Sequence, residues 1–95
     1  MSTELRIEAE ASDAGTLRLR LEGVLDGGGA YVLRDRITLI GAPVVVDFSR
    51  LDRISDFGLG LVAMSIGELD FEVHLIGLGR HAQRILRAFG IALAA

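Results

Sequence analysis

The sequence predicts one α/β domain, in which about four strands form a small mixed sheet and about three helices pack on it. Two segments near the amino terminus alternate apolar and charged residues with a period of two, which is typical of half-buried strands. Two short apolar runs then alternate with three segments of helical periodicity, and strand-helix-strand connections of this kind give parallel pairs. With 95 residues, about half of them hydrophobic, we expect a single domain over residues 1–95.

The first two strands are expected to form an antiparallel hairpin. Residues 5–11 carry mainly acidic side chains on their polar face, and residues 17–22 carry mainly basic ones. Charges of opposite sign on facing strands favour this pairing. The segment Asp13-Ala14-Gly15 is predicted to supply the turn between them.

A glycine-rich segment separates the second strand from the first helix. Residues 23–29 break the alternation, and the consecutive glycines at positions 27–29 predict a flexible connector. From Ala30 onward, apolar residues recur at helical spacing and predict a short amphipathic helix that Gly41 ends. The residues expected on its inner face are Val32, Leu33, Ile37 and Ile40.

The middle of the chain predicts a buried strand followed by the second helix. Residues 44–46 are a continuous apolar run, so we expect them at the centre of the sheet with both faces covered. Asp47 would end this strand, and a polar loop over residues 52–58 would lead into a helix that begins near Asp56 or Phe57. Asp56 is expected to cap free amides at that helix start. The predicted inner face of the helix carries Leu59, Val62, Ile66 and Leu69.

The last third of the chain predicts another strand and a third helix. Residues 71–76 are the strand, residues 77–79 are its exit, and Gly90 ends the helix. The apolar side of this helix carries Ala82, Ile85, Leu86 and Phe89, and its other side carries Arg80, Arg84 and Arg87. A solvated face is the simpler interpretation of the arginines; a surface for an acidic partner or a lipid headgroup is the alternative.

Composition argues against several functions. A net charge of −3 with interleaved acids and bases argues against nucleic-acid binding. Without cysteine there is no thiolate catalysis, and neither His74 nor His81 has a partner at metal-ligand spacing. We therefore expect no catalytic residue, metal or cofactor. No apolar run approaches the ~20 residues of a membrane-spanning helix, and no secretory signal is visible, so we expect a cytoplasmic protein without membrane insertion.

One segment resembles a known family. Residues 44–60 read Val-Val-Val-Asp-Phe-Ser-Arg-Leu-Asp-Arg-Ile-Ser-Asp-Phe-Gly-Leu-Gly. This resembles the central segment of STAS domains, the fold of bacterial anti-sigma-factor antagonists, in which a strand ending in Asp leads to Asp-Ser-Ser-Gly-Leu-Gly. Ser55-Asp56-Phe57 stands in place of Asp-Ser-Ser. Residues 22–26 and 77–80 add weaker resemblances in the same order, and the predicted order of elements also matches a STAS domain.

The resemblance implies a non-enzymatic protein-binding module that regulates transcription by partner switching. STAS antagonists bind an anti-sigma factor that is a serine kinase, and they release it when the second Ser of the motif is phosphorylated. Phe57 stands at that position without a hydroxyl, so we expect no switch at the usual site, and Asp56 adds a permanent negative charge beside it. Ser55 is the remaining candidate for phosphorylation. The partner-binding residues that the resemblance implies are Asp26, Asp47, Ser55, Asp56, Phe57, Gly58 and Leu59.

Two other interpretations stay open. One is the STAS subunit of an ABC-type lipid transporter, whose partner would be the ABC transporter ATPase. The other is a small hydrolase or nucleotide-binding enzyme, for which the sequence shows no positioned base. The sequence also leaves open whether Phe57 faces solvent or the core, and whether a sheet edge supports a homodimer.

Overall fold

Over residues 4–12 and 15–93, which a computed structural model describes, the chain forms a sheet of four strands with helices packed on it. The strands are β1 (Leu5–Ala11), β2 (Leu17–Leu25), β3 (Val44–Ile54) and β4 (Val73–Ile76). The helices are α1 (Gly27–Ile40), α2 (Asp56–Gly67) and α3 (Arg80–Ala88). The strand order is β1-β2-β3-β4, with β1 antiparallel to β2 and the other two pairs parallel. The predicted mixed α/β sheet is confirmed.

The hairpin of β1 and β2 is also as predicted. Glu8 faces Arg20 across the two strands, and their side chains form an ion pair of 2.7 Å. Arg6 faces Glu22 in the same way at 3.7 Å. In the turn, Gly15 has a φ of 80°, a conformation that favours glycine. Asp13 and Ala14 of the predicted turn lie outside the described residues.

The helices cover one face of the sheet. Val44 and Val46 are buried against the helices, whereas Val45 between them is only half-buried. The prediction that both faces of this strand are covered is therefore wrong for the described part of the chain, since side chains alternate between the two faces. The largest fully buried core side chains are Leu19, Leu21, Leu25, Leu33, Leu59, Leu86, Val44 and Val46.

The glycines between positions 23 and 29 do not form the predicted flexible connector, because they lie in β2 and α1. Gly23 lies inside β2 with a φ of 93°, where a side chain would collide with the Glu4 carbonyl oxygen. Gly27 to Gly29 form the first turn of α1, which begins three residues earlier than predicted. Gly23 must be a glycine because of its backbone conformation and its close contact with the neighbouring segment of the chain. Neither requirement is visible in the local sequence pattern.

β3 is much longer than the predicted apolar run. It continues past Asp47 to Ile54, because β2 also continues and supplies a pairing partner. Two irregularities in the register show that β3 has an extra residue between Asp47 and Arg50 and another between Leu51 and Arg53, which is the arrangement of β-bulges. Asp47 therefore lies within the strand, and the predicted loop over residues 52–58 is divided between the end of β3 and the start of α2.

The inner faces of the helices follow the prediction with three exceptions. Leu69 packs against the core but lies beyond the end of α2 at Gly67. Val32 of α1 is 50% exposed, and its predicted place in the core is taken by Ala30. Phe89, at the end of α3, is 54% exposed and rests on α2 at the surface. The predicted ends of α1 at Gly41 and of α3 at Gly90 are confirmed, and both glycines have positive φ.

Candidate functional site at the starts of the first and second helices

The segments that begin α1 and α2 lie side by side at one end of the sheet. β2 leads through Asp26 into α1, and β3 leads through Ser55 into α2. The Ser55 backbone N–H donates a 2.9 Å hydrogen bond to the Leu25 carbonyl. Gly58 comes so close that a β-carbon there would lie 2.9 Å from the carbonyl oxygens of Leu25 and Asp26. The absence of a side chain at Gly58 therefore allows the two helix starts to share one surface.

Two of the predicted site residues cap these helices. The Asp26 carboxylate accepts a 2.8 Å hydrogen bond from the Gly29 backbone N–H at the start of α1. The Ser55 hydroxyl oxygen accepts a 2.9 Å hydrogen bond from the Gly58 backbone N–H at the start of α2. Both bonds satisfy amides that a helix leaves free in its first turn. The predicted capping role of Asp56 is wrong, because Ser55 fills it one residue earlier.

Asp56 instead contacts α3. Its Oδ1 lies 2.8 Å from Nε2 of His81, and the two side chains are 64% and 67% exposed. Solvent screens an exposed pair of this kind, so it adds little to the free energy of unfolding. Its consequence is geometric: it links the start of α3 to the start of α2 and holds a carboxylate beside Phe57.

Phe57 projects from the first turn of α2 into solvent, with 70% of its surface exposed. One edge of its ring lies against Gly27 of α1, where a β-carbon would be 2.8 Å from the ring Cε2 atom. Of the two orientations that the sequence left open, the structure has the exposed one. Gly27 provides a flat support under one edge of the ring and leaves the rest of the ring free for contact.

Phe57 is part of an exposed apolar surface that runs along α2 and reaches α3. Met64 and Phe89 are 58% and 54% exposed, and Leu61 is partly buried between them and the core. The Phe89 ring rests on Gly60, where a β-carbon would lie 3.2 Å from Cζ. A shallow cavity of about 170 Å³ opens on this surface. We call it the Phe57 patch, and its members are Phe57, Leu61, Met64 and Phe89.

Two of the residues predicted for partner binding lie apart from this patch. The Leu59 side chain is 1% exposed and belongs to the core. Asp47 lies in β3, where its carboxylate accepts a 2.9 Å hydrogen bond from the Ser49 backbone N–H. Burial raises the pKa of Asp47, but the hydrogen bonds from Ser49 and the nearby positive charges of Arg18 and Arg50 outweigh it, so the pKa lies below its ordinary value.

Three residues of the Phe57 patch, and His81 beside it, were not among those predicted for the site. Leu61 and Met64 follow Phe57 at intervals of four and seven residues, which places all three on one helix face. That signal is present in the sequence. Phe89 and His81 lie on α3 and reach the surface only because α3 packs beside α2, which local sequence does not show.

The arrangement is suited to recognition. It combines an open apolar surface with a carboxylate and an imidazole at one end, which is the usual composition of a protein-binding site with a polar rim. Across residues 4–12 and 15–93, no three His, Asp or Glu side chains are grouped so that they could hold a metal ion. In the same described ranges, no helix has the length and apolar character needed to cross a membrane.

Comparison with known proteins identifies the fold. No family model matches the sequence, and no curated protein matches it. Solved structures do match. The unphosphorylated anti-sigma factor antagonist SpoIIAA has 22% identity and a TM-score of 0.66, with 90% of this chain and 81% of that chain covered. SpoIIAA of Bacillus has also been solved in its phosphorylated form.

Two further structures have the same architecture. An anti-sigma factor antagonist from Mycobacterium paratuberculosis has 21% identity and a TM-score of 0.66, covering 95% of this chain and 81% of that chain. An antisigma-factor antagonist STAS domain from Rhodobacter sphaeroides has 21% identity and a TM-score of 0.54, covering 78% and 87%. The chain has the STAS fold. The fold predicted from the order of elements is confirmed, and within this STAS fold the candidate site lies at the start of α2.

Proposed function

We propose that this protein is a non-enzymatic STAS regulator of the anti-sigma-factor-antagonist type, acting in the bacterial cytoplasm on transcription. Its partner would be an anti-sigma factor of the serine-kinase type, bound through the Phe57 patch and the adjoining Asp26, Ser55 and Asp56. The observation that carries this proposal is the exposure of Phe57 at the start of α2, since a large aromatic ring held on a rigid helix is a typical interface anchor.

Leaving this apolar surface in water has a free-energy cost. Three large apolar side chains of the patch are more than half exposed: Phe57, Met64 and Phe89. Burying them against a partner would recover free energy in proportion to the apolar area removed from water. The supporting residues are held by backbone contacts and helix caps, so little conformational freedom would be lost on binding.

We further propose that phosphorylation at the position of Phe57 does not control this binding, because a phenyl ring has no acceptor oxygen. Asp56 places one negative charge next to that position, less than the charge of a phosphoryl group. Ser55 stays a predicted phosphorylation site. Its hydroxyl already accepts the Gly58 amide, and a phosphate there would lie at a helix start, where negative charge is favourable.

The test is capture of partners from a bacterial extract with four forms of the protein: wild type, Phe57→Ala, Phe57→Ser and Leu39→Ala. Leu39 is the matched control, because it is 83% exposed on α1 and outside the patch. We expect the wild type and Leu39→Ala to capture an anti-sigma factor of the serine-kinase type. Phe57→Ala should weaken binding by about 30-fold or more, as for an interface hot spot. With ATP, Phe57→Ser should gain phosphate at the substituted position.

Other outcomes would overturn the proposal in defined ways. Capture of an ABC transporter ATPase with a permease would assign the protein to the transporter class. Equal capture by Phe57→Ala and wild type would show that the Phe57 patch is not part of the interface. Turnover of a nucleotide or ester by the purified protein would contradict the non-enzymatic assignment.

A further inference from the structure

A second surface, formed by α3, lies outside the Phe57 patch. Arg80, Arg84 and Arg87 are exposed on successive turns of this helix and, with Gln83, line a shallow depression. Their positions span about 10 Å along the helix axis. We call this surface the arginine stripe, and it comprises Arg80, Arg84 and Arg87.

The stripe has no negative charge to neutralise it. No Asp or Glu occurs in α3, and within residues 4–12 and 15–93 no carboxylate forms an ion pair with any of the three arginines. The side-chain contact between His81 of this helix and Asp56 involves none of the three arginines. The side chain at the centre of the stripe is the neutral Gln83, whose amide is fixed by a 2.9 Å hydrogen bond to the Leu78 carbonyl.

Helix stability accounts for Arg87, which lies in the last turn, where the helix dipole favours a cation, but it does not account for Arg80. Arg80 is the first residue of α3, where the helix dipole disfavours a cation, and neither a capping side chain nor an acid in the first turn offsets it. Three like charges on one helix face also repel one another. A local arrangement that costs stability without a partner in the fold is typical of a functional surface.

We propose that the arginine stripe binds an acidic protein segment, whose carboxylates pair with the three guanidinium groups. Arginine suits this partner because its planar group can bind a carboxylate through two parallel hydrogen bonds. The arginine stripe is separate from the surface proposed for the partner around Phe57, and its binding of an acidic segment does not depend on that surface. The acidic segment can belong to the partner proposed for the Phe57 patch or to a second protein, because in either case its carboxylates would pair with the guanidinium groups.

The structure favours a protein over the two other anionic surfaces. A membrane-binding helix needs exposed apolar side chains between its cations, but between Arg80 and Arg87 the residues Ala82 and Leu86 are buried and Ile85 is partly buried against the core. Binding to a nucleic acid needs a longer basic field, and this chain has a net charge of −3. Three isolated cations instead match the few carboxylates of a short peptide segment.

The test is a titration of the full-length protein with a fluorescein-labelled oligoglutamate peptide, followed by fluorescence anisotropy and by NMR chemical shifts. The variant is the triple substitution of Arg80, Arg84 and Arg87 by Gln. The charge-matched control replaces Arg6, Arg34 and Arg36, which lie on β1 and α1, in the same way.

We expect the chemical shifts to change along α3, and the stripe variant to bind oligoglutamate about tenfold more weakly, since three exposed ion pairs are lost. The charge-matched control variant should bind as the wild type does. Circular dichroism should show that all variants fold. Equal weakening in the charge-matched control would overturn the proposal, as would stripe-dependent binding of phosphatidylserine vesicles or duplex DNA without binding of oligoglutamate.

Discussion

The close approach of α2 to the end of β2 predicts that one glycine-to-alanine change is destabilising although it lies in a helix. A β-carbon at Gly58 would meet two backbone carbonyl oxygens, of Leu25 and Asp26, at 2.9 Å, about half an ångström inside ordinary van der Waals contact. Backbone atoms of a strand end and a helix start cannot rotate away as a side chain can. We therefore expect the clash to cost about 2–3 kcal/mol, as overpacking does.

The same change also has a favourable part, since alanine is about 1 kcal/mol better than glycine inside a helix. The net effect of Gly58→Ala is then a loss of about 1–2 kcal/mol, which lowers the melting temperature of a domain of this size by roughly 5–10 °C. Gly67→Ala is the matched control in the same helix. A β-carbon there meets nothing within 4 Å, so this variant should gain about 0.5 kcal/mol.

The assay is urea denaturation of both variants and the wild type, followed by circular dichroism, with thermal melting as a second measurement. The slope of the free energy of unfolding against urea should be unchanged, because the folded and unfolded surfaces are the same. If Gly58→Ala were as stable as Gly67→Ala, the start of α2 would not lie in close contact with the end of β2. That result would refute the explanation given for the shared surface of the two helix starts.

The other predictions concern the support of Phe57 and the carboxylate of β3. Gly27→Ala should displace the Phe57 ring and weaken partner capture, because the new β-carbon would lie 2.8 Å from the ring. Gly28→Ala is the control. Its β-carbon meets only Asp26 Oδ1, at 3.6 Å, so the ring position and partner capture should not change. Equal ring shifts by NMR in the two variants would contradict this. Asp47→Asn should lower the free energy of unfolding by less than about 1 kcal/mol near neutral pH, since the site is partly exposed. The folded-state pKa of Asp47 is lowered, so its stabilising effect is complete above the unfolded-state pKa of about 4 and is lost as pH falls through the folded-state value. Urea titrations should show the difference between wild type and variant shrinking below that pH, and a constant difference would refute the electrostatic cause.

Local patterns in the sequence are sufficient to predict the strands, the helices and their order. The alternation of apolar and charged residues over 5–11 and 17–22 predicts two strands. The charged residues of these strands also predict which signs meet across the hairpin, as in the pair of Glu8 and Arg20. The positions of Gly41 and Gly90 determined where two helices end, because a left-handed residue is a local requirement. The start of α2 was also predictable from the change in residue pattern after the central strand.

Which of these features meet depends on how the separate elements pack. Gly23 and Gly27 are consistent with a loose loop in the sequence, but they belong to β2 and α1, where Glu4 and Phe57 lie too close for a side chain at these positions. The contact of Asp56 with His81 joins residues 25 positions apart. Local patterns report the preferences of neighbouring residues, whereas a functional surface is made where separate elements pack, and that depends on contacts that no single segment contains.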